Sequence, residues 1–152
     1  MSVNIYVATS AEDLKKFPDF AIVKIEGQKS KTLRQFYEHI AEVLEFPDYF
    51  GFNLDSLDEL LNDLEWIDDH KLALYFCHTE DFISQERNPE KLSNLLHMLD
   101  ATAEDWKWLD EDEEVFAKEL VFIFEDSPRL RDLLKQEEIG FAFISRDADS
   151  AG

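Results

Sequence analysis

Phe46-Pro47-Asp48-Tyr49-Phe50-Gly51-Phe52-Asn53-Leu54-Asp55-Ser56-Leu57-Asp58-Glu59 is the stretch on which the reading of this chain turns. Pro47 lacks a backbone N–H and pushes Phe46 out of the helical region, so a helix running into it must stop. Gly51 supplies a turn, and Asn53 is a strong N-cap for a second helix. In that helix Leu54, Leu57, Leu60, Leu61 and Leu64 fall within about 120° of one another on a helical wheel, which makes a core face. Asp55, Asp58, Glu59 and Asn62 lie on the other side, within about 100°, and read as one polar stripe. Asp55 stands in the first turn, where the helix dipole favours a carboxylate. The setting reinforces the pattern: the thirty-six residues from Gln35 to His70 contain eleven acids and no lysine or arginine. Such a surface suits a basic partner.

Working outward, Thr32 and Gln35 form a capping-box pattern, and Leu33, Phe36, Tyr37, Ile40, Val43 and Leu44 recur at helical spacing up to Pro47. Before them Phe20 to Ile25 is apolar, partly β-branched, and closes at Gly27 as a strand. Val3 to Val7 is a further strand candidate, followed by a short capped helix from Ser10, and the pair reads as an N-terminal addition. Leu72-Ala73-Leu74-Tyr75-Phe76-Cys77 is a continuous apolar run of strand length, as expected of a strand covered on both faces. Asn88-Pro89 opens a helix carrying Leu92, Leu95, Leu96 and Leu99. Leu120 to Phe124 is another buried strand, Ser127-Pro128 starts a helix through Gln136, and Phe141 to Ile144 is a last short strand. The segment Asp100 to Glu114 is assigned only a helix end and a loop. Its Trp106 and Trp108 fit either a second contact surface or partial burial. Strands alternating with helices predict an α/β fold with a small, mostly parallel sheet, in one domain over residues 1–145 with a polar tail over 146–152.

A chain of 152 residues with 45% hydrophobic content supports one sizeable core. Thirty-five acids against fifteen bases give a net charge of −20. That field repels nucleic acid, anionic lipid and phosphorylated ligands, although acidic surfaces also serve solubility alone. Cys77 is the single cysteine, so no intrachain disulfide forms, and a reducing, cytoplasmic setting is expected. No apolar run approaches the ~20 residues needed to span a bilayer.

Asp55 and Glu59, one turn apart, are the best-placed pair for acid–base chemistry, but that role needs a desolvated carboxyl and a stripe opposite the leucines is wet. His39, His70, His78 and His97 form no HExxH pair. Asp68-Asp69-His70 and His78-Thr79-Glu80 are the local groupings of histidine with acids, and they suit solvated loops or strand ends. With four glycines in the chain there is no phosphate-cradling loop, and no G-x-S-x-G elbow exposes a serine. The chain is therefore read as a non-enzyme without metal or cofactor.

The run from Pro47 to Glu59 resembles the barstar family of ribonuclease inhibitors, which carries Pro-x-Tyr-aromatic-Gly-x-Asn-x-Asp-small-Leu-x-acid. Here the matching residues are Pro47, Tyr49, Phe50, Gly51, Asn53, Asp55, Ser56, Leu57 and Glu59. The resemblance implies a barstar-like fold extended at the N-terminus and after Phe124. It also implies an immunity protein whose partner is a basic ribonuclease toxin, blocked by the second helix and the loop before it. Its carboxylates would stand where RNA phosphates sit. The implied contact residues are Tyr49, Gly51, Asn53, Asp55 and Glu59, and the polar stripe adds Asp58 and Asn62. Two positions depart from the family habit: Glu59 stands where aspartate is common, and Asp58 where tryptophan is frequent. The alternative reading is an acidic interaction module of another kind, such as a DNA mimic or a chaperone for another basic protein.

Overall fold

The computed structural model describes residues 4–64, 66, 67, 69–109 and 119–144, with 106–109 as backbone alone. Five strands, β1 (Ile5–Ala8), β2 (Ala21–Glu26), β3 (Lys71–Cys77), β4 (Glu119–Glu125) and β5 (Phe141–Phe143), make one sheet in the order β2-β3-β4-β1-β5. Every pairing is parallel, so the sheet expected to be mostly parallel is wholly so among the described residues. Among the described residues four helices accompany it: α1 (Leu33–Val43), α2 (Leu54–Leu61), α3 (Glu90–Leu109) and α4 (Pro128–Gln136). Two short 3-10 turns, Ala11–Lys16 and Gly27–Lys29, complete the order.

Alternation along β3 divides the core. Leu72, Leu74 and Phe76, with Phe122, Phe124, Ile5 and Val7, pack under Phe36 and Ile40 of α1, the α2 leucines, Leu95 and Leu99 of α3, and Leu130 and Leu134 of α4. Phe76 stacks on Phe124 at 4.3 Å and meets the edge of Phe82 at 5.3 Å. On the opposite face Ala73, Tyr75 and Cys77, with Ile123 and Ala8, are covered by Leu14, Phe17 and Phe20. Topology explains the unequal cover. The chain steps one way across the sheet from β2 to β5 but returns across it from β1 to β2. Right-handed crossovers therefore place α1 to α4 on one face and, among the described residues, the first 3-10 turn on the other.

The local signals act as read except at Ser10, whose side chain makes no cap hydrogen bond to the 3-10 turn it opens, and with three refinements. Thr32 Oγ1 accepts from Gln35 N–H at 3.1 Å, while Gln35 Oε1 accepts from Lys31 N–H at 3.1 Å rather than from Thr32. Helix α1 stops before Pro47 is reached: Glu45 takes φ 53°, Phe46 N–H donates to Ala41 O at 2.9 Å, and Glu45 N–H to Glu42 O at 3.3 Å. This is a Schellman ending with glutamate where glycine is usual. The stretch 100–109, expected as helix end and loop, is helix α3 through Leu109. The side chains of Trp106 and Trp108, the rest of the acidic segment to 118, and the 146–152 tail lie outside the described residues. The N-terminal strand is no appendage, since β1 pairs with β4 on one side and β5 on the other.

Gly27, at the turn after β2, sits against the end of β3. A Cβ there would collide with His78 O and lie 2.7 Å from Cys77 O, so glycine is required for close backbone approach.

Candidate functional site

Between α1 and α2 the chain builds a short loop from its own polar groups. Phe50 N–H donates to Pro47 O at 3.1 Å. Gly51 N–H donates to Ser56 Oγ at 2.9 Å. Asn53 works at both ends, its Nδ2 donating to Gly51 O at 3.1 Å and its Oδ1 accepting from Ser56 N–H at 2.8 Å as the N-cap of α2. A side chain at position 51 would press on Asn53 Nδ2, 2.9 Å from the Cβ site. Beneath the loop Phe50 is buried, edge-on to Tyr37 at 6.0 Å and Phe46 at 4.9 Å, and Phe46 meets Trp66 at 5.8 Å. Trp66 Nε1 is anchored on Leu44 O at 2.8 Å. The loop is thus clamped above and below, and it pushes two rings outward: Tyr49 is 67% exposed and Phe52 37%.

Helix α2 buries Leu57, Leu60 and Leu61 and turns Asp55 and Glu59 to solvent, with Asp63 continuing the line. The four-residue stripe read from the wheel does not survive intact. Asp58 and Asn62 are half-buried, Asp58 against α3 and Asn62 folded back onto Asp58. Asp58 Oδ1 accepts from Asn62 Nδ2 at 2.9 Å and from the buried Thr102 hydroxyl at 3.1 Å. The physical reason is that α3 lies along that flank of α2, and a single helix's periodicity carries no information about which flank a neighbour covers. Asp58 and Asn62 are thus partly covered, whereas Tyr49, Asp55 and Glu59 are exposed, with Gly51 and Asn53 shaping the loop.

Two residues that the sequence reading passed over border this surface. Arg34, on α1, places its guanidinium 4.5 Å over the Phe52 ring and donates from Nε to Glu38 at 3.2 Å. Phe52 itself holds φ 52°, an uncommon conformation for a bulky residue. Neither has a sequence signature, because both depend on α1 and the loop meeting in space. Asp63, one turn after Glu59, could have been found from its spacing alone. Burial, and then the charges of Asp55 and Glu86, push the Tyr37 phenol pKa up, so it stays neutral under the loop.

Chemically this is a rigid aromatic loop beside exposed carboxylates, fitted to bind cationic groups. Elsewhere, His78, Glu80 and Asp81 at the end of β3 bring one ligand atom each to within 4.8 Å of one another. Asp69 and His70 are solvent-facing, and Asp68 lies outside the described residues. After β1, where a parallel α/β sheet commonly receives phosphates, the Thr9 N–H and hydroxyl both donate to the carboxylate of Asp13, at 2.8 and 3.1 Å. An acid of the chain occupies those donors. Among the described residues no helix is long and apolar enough to cross a membrane.

Comparison with known proteins agrees with this architecture. The solved structure of the Aeropyrum pernix ORC2 protein, described as its ADPNP-ADP complexes, shares the fold with a TM-score of 0.52 at 15% identity, covering 93% of this chain and 41% of that one. This chain thus spans about two fifths of that protein's length, and at that identity the likeness concerns the fold alone. No curated protein sequence matches. The family profile Barstar (barnase inhibitor) matches residues 20–120, from β2 through α1, the clamped loop, α2, β3 and α3 to the start of β4. With two thirds of its length matched, and with the loop and acidic helix inside the match, the chain belongs to the barstar family.

Proposed function

We propose that this protein is an inhibitor of a basic ribonuclease, acting as the immunity partner of a ribonuclease toxin in the cytoplasm of the cell that makes both. The observation that carries the reading is the pairing of exposed Asp55 and Glu59 on α2 with a loop fixed by Asn53 and Ser56, within a member of an inhibitor family. Inhibition is steric and electrostatic. The loop and α2 enter the nuclease cleft, and the carboxylates take the places of RNA phosphates against its bases. Preorganisation matters here, because a loop already held by its own hydrogen bonds loses little entropy on binding. Opposite net charge adds long-range attraction and accelerates encounter. No step requires bond making or breaking by the chain, so it acts as a binding protein and not as an enzyme.

The test is inhibition of RNA cleavage by a panel of purified basic ribonucleases, barnase among them. The wild-type chain is expected to inhibit at least one with 1:1 stoichiometry. The double variant Asp55→Ala, Glu59→Ala is expected to lose more than about 100-fold in affinity with its thermal unfolding unchanged. Inhibition of no ribonuclease, or equal inhibition by both forms, would overturn the reading.

A further inference from the structure

Resting on the inhibitor reading above, we propose that Phe52 is the apolar anchor that selects which ribonuclease this surface accepts, and that Arg34 is the residue that positions it. Exposed carboxylates attract any basic protein and discriminate poorly among them. Selectivity at interfaces comes from a few well-held aromatic side chains and from groups that penalise the wrong partner.

Three observations single out Phe52. It is one of three large hydrophobic residues exposed among those described, and with Tyr49 it places two of the three in one loop of the candidate site. Its backbone sits at φ 52°, where glycine would rest without strain, yet the chain keeps a phenylalanine there and directs it outward. Its ring is held from both directions. Phe50 lies beneath at 4.8 Å, continuing the aromatic line from Trp66 through Phe46, and the Arg34 guanidinium covers it at 4.5 Å while paired with the exposed Glu38. A ring immobilised in the free protein loses little freedom on binding, as an anchor requires.

Arg34 also marks what the surface excludes. It stands at the border of a segment, residues 35–70, that contains no other arginine or lysine. A partner presenting a cation opposite it is repelled, whereas a partner presenting an apolar or aromatic contact is accepted. The partner class is therefore a basic ribonuclease with an apolar depression beside its cationic cleft and no lysine or arginine facing that depression.

The experiment measures association and dissociation rates, and melting temperature, for wild type, Phe52→Gly, Arg34→Gln, Arg34→Lys and the Asp55→Ala, Glu59→Ala pair, using whichever ribonuclease of the panel wild type inhibits. Phe52→Gly is expected to melt no lower than wild type, since glycine takes the backbone conformation freely, yet to dissociate about tenfold faster or more with its salt dependence unchanged. Arg34→Gln is expected to dissociate faster by a smaller factor, with Arg34→Lys between it and wild type. The acidic pair instead slows association and flattens its salt dependence. If Phe52→Gly binds within about twofold of wild type, or loses affinity only in step with a falling melting temperature, the anchor proposal is wrong while the inhibitor reading stands. If wild type inhibits no ribonuclease in the panel, both fall.

Discussion

Replacing Asp58 by alanine separates the part of α2 that holds the fold from the part turned to solvent. The change removes two side-chain hydrogen bonds, from Asn62 Nδ2 at 2.9 Å and from the Thr102 hydroxyl at 3.1 Å. Thr102 is fully buried and is left with only the sulfur of Met98, 3.3 Å away, a weak acceptor. Hydrogen bonds to a charged group contribute about 1.5–3 kcal/mol each, but this one is partly solvated, and removing one acid from a strongly negative chain relieves some repulsion. At physiological salt the Debye length is about 8 Å, so the relief is small and the lost bonds win, leaving about 2 kcal/mol. In a domain of this size that lowers the melting temperature by about 4–8 °C. Calorimetry or thermal circular dichroism reads it. Asp58→Asn keeps an acceptor at Oδ1 and should cost less than half as much. A cycle with Thr102→Val should show the pair to be coupled, the double variant losing less than the sum. An Asp58→Ala protein that melts like wild type, or one whose only defect is ribonuclease affinity, would refute the placement of Asp58 against α3.

Three further outcomes are expected. Gly27→Ala should destabilise by about 1–3 kcal/mol or more, because the new methyl meets the backbone of Cys77 and His78 and cannot be accommodated by a rotamer change; a urea midpoint equal to wild type would show that the β2–β3 junction is looser than drawn. Burial depresses the His39 pKa below its ordinary value of 6.5, with Glu26 and Glu42 opposing and Lys29 assisting, and its Nε2 accepts from Glu26 N–H at 3.0 Å. The unfolded chain therefore takes up this proton first, and the stability His39 contributes is complete above pH 6.5 and drains away as pH falls toward the lower folded value. His39→Gln should flatten that slope in pH-dependent unfolding, and an unchanged slope would exclude His39 as its source. Finally, association with the inhibited ribonuclease should slow steeply as salt rises from low to physiological concentration, measured by stopped flow; a flat rate would rule out steering by the acidic surface.

The caps of this protein were legible because they are local. Thr32, Asn53 and Ser127 each bond a backbone N–H three residues ahead, so their pattern is complete within four letters of sequence. The same holds for the leucine face of α2 and for β3, where six apolar residues in a row require cover on both sides. The motif from Pro47 to Glu59 was readable for the same reason, being a loop that satisfies its own hydrogen bonds. The net charge of −20 on 152 residues was likewise readable, and it disfavours an anionic partner. Tertiary structure decided the rest. The strand order β2-β3-β4-β1-β5 joins residues more than a hundred positions apart, as in the pairing of Ile5 with Phe122 and Phe141. The division of the α2 stripe depends on Thr102, forty-four residues away from Asp58. Arg34 reached Phe52 only because α1 ends at Glu45 in a left-handed turn that brings the loop back over its flank. Periodicity tells a helix which face is polar; only the packing of a second helix tells which polar residues remain in water.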